Sequence, residues 1–353
     1  MRRFLPLPTG RRRPAAYWPL VLLLAAAGCD SAAPTTSTPV GPTPTDAATL
    51  FPARQNGDFV FIDSTGRVAV TLDKHNTART GSEGLAPARY WDGGRSVWDF
   101  FTAAGEVALT VPADEVAAPS DGLILVSVDG RDGFVDRSGA YVVNPYLNDA
   151  RPFREGVARV KTTGWQWGIM DTSGRVVAQP QWGELWDAAD GRMRFREDDL
   201  YGFIDLAGNE VIPPVYADAR SFSGGLAAVR EGERWGYITP ANARAMGGAT
   251  FISAGDFREG LAPVRTGNRW EYVDAAGARV IGPEFEEARA FFQGRAAVRI
   301  DGQWTHIDRS GTPIRAATFD EVGDFAGGLA SVTVGGRTGY VDRAGSMVWV
   351  PRD

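Results

Sequence analysis

The chain has 353 residues, of which 44% are hydrophobic and 23% charged, and its formal charge is −6. That is the composition of a globular chain with ample material for a core, and its acidity argues against nucleic-acid binding and against electrostatic attraction to anionic lipid. A single cysteine excludes an intramolecular disulfide, so packing alone must hold the fold. The 43 glycines, 22 prolines and 11 tryptophans predict many tight turns between short strands.

The first 28 residues read as a leader. "MRRFLPLPTGRRRP" is basic, and the apolar run Tyr17 to Gly28 is too short to span a membrane, which takes roughly 20 residues. Small residues then run into Cys29. "AAGC" resembles the lipobox of bacterial lipoproteins, and the resemblance implies cleavage before Cys29 and a lipid on its sulfur. The alternative is an ordinary cleaved leader with an incidental thiol. Loss of the five leader arginines would take the formal charge from −6 to −11. Residues 29–49 are rich in Pro, Thr and Ser, with Val40 the only large apolar residue. They predict an extended tether with a reach of roughly 60 Å at ~3.1 Å per residue.

From residue 50 to 353 the chain repeats itself. "WGIMDTSG" (167–174) returns as "YGFIDLAG" (201–208) and "YVDAAG" (272–277). Its closing glycine recurs at Gly66, Gly105, Gly139, Gly174, Gly208, Gly277, Gly311 and Gly345, mostly 34 or 35 residues apart, and "WGYITPAN" (235–242) fills the one long gap. Nine copies of one unit are the signature of a repeat architecture. Each unit reads as strand A ("LAAVR"), strand B ("RWGYID") and strand C ("EVIPP"), with a second recurring string, "FREGVARV" (153–160) or "FQGRAAVR" (292–299), leading into strand A.

In "D-x-x-G" the Asp can open a β-turn by accepting a backbone N–H two residues on, and the Gly can leave it with positive φ. Asp63, Asp136, Asp171, Asp205, Asp274, Asp308 and Asp342 take that place and are expected to be structural. One carboxylate per unit does not supply the clustered oxygens calcium needs. Strand B is apolar or small on both faces, so each sheet should be covered on both sides. Its central glycine (Gly133, Gly168, Gly202, Gly236, Gly339) should leave room for a neighbour. Val60, Asp99, Glu271 and Thr305 replace it elsewhere. Prolines 112, 145, 180, 213 and 283 should end strand C or place it at a sheet edge.

These strings resemble the WG-repeat family, also called KWG repeats. The resemblance implies a β-rich repeat module, often on exported bacterial proteins, with no established general activity and no catalytic residues to carry over. The expected fold is all-β, with nine antiparallel units forming a propeller-like ring or arc; a linear β-solenoid is the alternative.

Chemistry is sparse. His306 occupies the aromatic position of strand B and His75 a polar stretch between units. Nucleophile, phosphate-loop and metal motifs are absent from the sequence, so no cofactor, metal or catalytic residue is expected. Trp91, Trp182 and Trp186 lie outside the strand-B position and are the candidate binding residues, able to stack on sugar rings or anchor a protein. The irregular loop 240–250 is a further contact surface. The sequence thus predicts an exported protein, lipid-anchored at the cell surface or facing the periplasm. It would act as a non-catalytic scaffold for a protein or glycan partner; the competing reading is an envelope hydrolase.

Overall fold

The computed structural model describes residues 49–314 and 318–350. The predicted leader, Cys29 and all but the last residue of the predicted tether lie outside them. Strands are short because the sequence punctuates them every five to eight residues with turn glycines at positive φ. They assemble into nine separate sheets, each an antiparallel meander made from consecutive strands. The fourth sheet is representative: Asp149–Ala150, Val157–Lys161, Trp167–Asp171 and Val176–Trp182, in that order, the last three being strands A, B and C. In the three-stranded sheets 6 and 8, isolated bridges (Trp235 with Phe251, Trp304 with Phe319) stand where strand C would be. Sheet 6 holds the one helical turn among the described residues, Met246–Gly248.

The apolar residues divide into nine clusters, and each cluster lies between two successive sheets. Alternation on strand B explains this: Trp167 and Ile169 join the cluster towards sheet 5, while Met170 joins the one towards sheet 3. The ninth cluster unites Leu329, Tyr340 and Trp349 of the last sheet with Phe51, Val60 and Ile62 of the first. The nine sheets are therefore blades of a closed propeller. Closure is by face packing: among the described residues neither terminal sheet takes a strand from the other.

Recurring contacts lock blade to blade. The ring at the strand-B aromatic position meets a Phe of the next blade edge-on, with centroids 4.6 Å apart for Phe134–Phe153, 4.8 Å for Phe203–Phe222 and 5.0 Å for Tyr272–Phe291. The Phe of the second motif is thus Phe291 in blade 8; Phe292, which opens the string quoted above, instead pairs with Arg295 across the turn. Arginines of one blade stack on its strand-B Trp and donate to a carbonyl of the next, as Arg289 does with Trp304 (4.4 Å) and Val322 O (2.8 Å).

Strand B's glycine serves its own blade. Opposite Gly133 strand C carries two surplus residues, because Asp132 pairs with Leu147 but Phe134 pairs with Val143. The resulting bulge brings Val143 O to 2.6 Å from where a Cβ would stand. Pro145, Pro180 and Pro213 fall inside strand C rather than at its end, which is tolerated because strand C is the edge. In blade 2, where Asp99 replaces glycine, strand C has no bulge at that position and Asp99 pairs directly with Thr110.

The D-x-x-G glycine, by contrast, seats on the preceding blade. Gly66 at φ +82° lies against the backbone of Val348, which closes the ring, whereas Gly57 at φ +90° faces open space. Gly66→Ala is therefore expected to lose roughly 2–3 kcal/mol, and Gly57→Ala about 1 kcal/mol. Urea unfolding midpoints measure both; equal losses would contradict the closing contact.

Candidate binding site

In each D-x-x-G turn the Asp Oδ1 accepts the backbone N–H groups two and four residues on. In the fourth blade these are Ser173 N at 3.0 Å and Arg175 N at 3.1 Å. The Ser173 hydroxyl and these amides hold Asp171 down to about 2. Asp63, Asp136, Asp205, Asp274, Asp308 and Asp342 make the same pair of bonds. Among the described residues no group of three or more His, Cys, Asp and Glu is placed to hold a metal ion.

In blades 6 to 9 the aromatic position of strand B carries a polar tip that reaches the next blade. Tyr237 and Tyr272 donate to Gly255 O (2.6 Å) and Arg289 O (2.8 Å), and Tyr340 donates to Pro52 O (2.8 Å) across the ring closure. Burial pushes Tyr340 up to about 12. His306 does the same work with Nε2 3.0 Å from Gly323 O, packed on Phe325. Its burial lowers its pKa.

His75, a loop residue by sequence, is buried in blade 2, edge-on to Tyr90 and Phe101. Its Nε2 lies 3.2 Å from Asp99 Oδ2, which also pairs with Lys74 at 3.1 Å, while Thr110 donates to Oδ1 at 2.6 Å. Burial alone would raise the Asp99 carboxyl, but bonds from Thr110, Lys74 and His75 outweigh it and hold it below its ordinary value. Burial lowers His75 in turn, against the pull of Asp99. The break in the glycine pattern at Asp99 was the sequence signal for this cluster; its partner in the preceding loop had none.

The turn before strand A forms a belt where neighbouring blades converge closely enough for one side chain to bridge equivalent positions. Asp121 accepts Gly156 N (2.7 Å), Glu155 accepts Asp190 N and Gly191 N (both 2.8 Å), and Asp190 accepts Gly225 N (2.7 Å). Glu83, Glu259 and Gln293 continue the pattern. These side-chain oxygens, carboxylate in all but Gln293, cap backbone donors of the next blade.

The three candidate tryptophans are not gathered into one site. Trp186 is half-buried, with Arg194 4.0 Å above its ring and Tyr201 beside it. Trp182, also half-buried, lines a groove of about 190 Å³ with Gln181, Glu197 and Glu210. Trp91 is 59% exposed and borders a cleft of about 330 Å³ between blades 2 and 3, with Arg95, Ser96, Asp114 and Asp129 in its walls. Trp165, which the motif reading passes over, is 70% exposed in the turn before strand B and lies against Gly183. Most of the loop 240–250 faces solvent, but Met246 enters the core between blades 6 and 7.

The model of the WG containing repeat matches residues 133–164, 167–201, 201–235, 250–270, 272–304 and 307–337, just over half of the chain. The chain belongs to the WG-repeat family. No curated protein matches its sequence. Among solved structures it is similar to a eukaryotic initiation factor, with TM-score 0.51 and 8% identity over 78% of this chain and 88% of that one. It also matches the uncharacterized protein lmo1340 of Listeria monocytogenes EGD-e, with TM-score 0.43 and 10% identity over 80% and 96%, and Hsv2 of Kluyveromyces lactis, with TM-score 0.37 and 10% identity over 53% and 71%. At such identities the likeness concerns the fold alone.

Both histidines resist protonation in the fold but not in the unfolded chain. Their contribution is complete above the unfolded pKa of about 6.5 and is lost as pH falls through the depressed folded values. His306→Tyr, which installs the residue found at the equivalent positions 237, 272 and 340, is expected to fold and to lose less stability between about pH 7.5 and 5 than the parent. Unfolding midpoints at both pH values measure this; parallel losses would contradict it.

Proposed function

We propose that this protein is an exported, lipid-anchored component of a bacterial envelope whose propeller is a non-catalytic binding scaffold for a protein or glycan partner. In this reading residues 1–28 are removed, Cys29 carries the lipid, residues 29–49 form the tether and residues 50–353 present the ring. The observation that carries the binding role is Trp91, a large aromatic held in water beside a cleft with charged walls. His75 is tied to Asp99 within blade 2, while His306 and the turn carboxylates hold blades together or close turns.

Anchoring is tested by Cys29→Ala. Incorporation of labelled fatty acid should disappear and the protein should leave the membrane fraction, because acyl chains supply about 0.8 kcal/mol of membrane affinity per buried methylene. Unchanged membrane association would contradict the anchor. Cross-linking in intact envelopes followed by capture should recover a specific partner. Turnover of cell-wall polysaccharide by the purified protein would contradict the non-catalytic reading.

A further inference from the structure

The repeat supplies its own control for the Trp91 cleft. In blade 3 the hairpin of strands A and B turns after the pair Val128–Arg131. The equivalent pair in blade 2 is Tyr90–Val97, and there the hairpin runs two pairs further, Trp91 with Ser96 and Asp92 with Arg95, before turning at Gly93–Gly94. The ring does not need this extension: Gly93 and Gly94 have open space around them and Trp91 belongs to none of the nine cores. What the extension does is place an indole at the mouth of the cleft.

The opposite wall is fixed. Asp114 donates its N–H to Ser127 O (2.8 Å) and accepts Asp129 N on Oδ2 (2.7 Å), which ties the segment after strand C of blade 2 to the hairpin of blade 3. Ser96, itself buried, donates to Asp114 O at 3.4 Å. The Arg95 guanidinium and the Asp129 carboxylate make no hydrogen bond or ion pair among the described residues, so both are available to a ligand. Arg89 stands 6.0 Å from the Trp91 centroid, and the ring is otherwise largely open to solvent.

We infer that this cleft is a binding site for a neutral saccharide. The inference rests on the binding-scaffold reading and names its ligand class. A pyranose presents a C–H face that packs on an aromatic ring and equatorial hydroxyls that both donate and accept. The walls supply the complements, with Arg95 as donor and Asp114 and Asp129 as acceptors. Two carboxylates against one guanidinium, on an acidic chain, disfavour uronates and other anionic sugars. A volume of about 330 Å³ lies within the range of small-ligand sites.

The test is isothermal titration of the protein with cellohexaose, maltohexaose, chitohexaose and hexagalacturonate, together with a photo-cross-linking residue at position 91 in intact envelopes. At least one neutral hexasaccharide should bind saturably and more tightly than hexagalacturonate. Trp91→Ala should weaken it by about tenfold or more, Trp91→Phe should weaken it less, and Trp165→Ala, an exposed tryptophan elsewhere, should not change it. Unchanged thermal melting would show that the variants fold. Absence of saturable binding to all three neutral sugars, or binding indifferent to Trp91→Ala, overturns the inference. If position 91 then captures a polypeptide, the saccharide assignment falls while the scaffold reading stands; if it captures nothing and no sugar binds, both fall.

Discussion

Everything in this molecule depends on sheets packed face to face. A sheet of three or four strands, five or so residues long, has little independent stability, and here its two faces are both apolar. Each blade is stable because the next one covers it. The unit of cohesion is therefore the interface, and every interface buries at least one aromatic ring, from Phe61 and Phe101 between blades 1 and 2 to Phe51, Tyr340 and Trp349 at the closure. Fully burying one such side chain contributes on the order of 1.5–3 kcal/mol. Closure matters because an open array would leave two bare apolar faces.

Around this packing the same few devices recur at fixed places: a turn glycine against the preceding blade, a carboxylate on the next blade's amides, an arginine between its own tryptophan and a neighbouring carbonyl. Most polar residues that look chemical in isolation are accounted for in this way. That regularity also gives departures from it a meaning. Asp99 in a glycine's place is compensated by a strand C without the bulge opposite it and by His75 and Lys74. The extra hairpin pairs at Trp91 have no compensating role in the ring.

The repeat was legible in the sequence because its elements are local. The D-x-x-G turn and the two-faced strand each state their geometry within eight residues. Ring closure was not legible, because it depends on how small rotations between blades add up, and no single residue encodes that sum. Nor does strand B show that its glycine makes room within its own blade and not for a neighbour, because the bulge it accommodates arises ten residues later, around Pro145 and Pro180. The Phe of blade 8 was misplaced by one because "FF" at 291–292 offers two choices and only burial separates them. Of the candidate tryptophans, Trp91 and Trp182 border clefts, whereas Trp186 is covered by an arginine that lies eight residues further along the chain. His75 and Asp99 are 24 residues apart and meet only after folding.

The closed ring is tested most directly by distance measurement between spin labels at the hairpin tips of the first and last blades, Asn56 and Gly335, in a chain with Cys29→Ser. A matched pair on adjacent blades 3 and 4, Gly130 and Gly164, serves as the reference. A closed ring predicts that the two pairs give similar distances, since both span one blade interface. A distance between 56 and 335 much longer than the reference, approaching the width of the whole assembly, would mean that the first and last blades do not meet and would contradict the account.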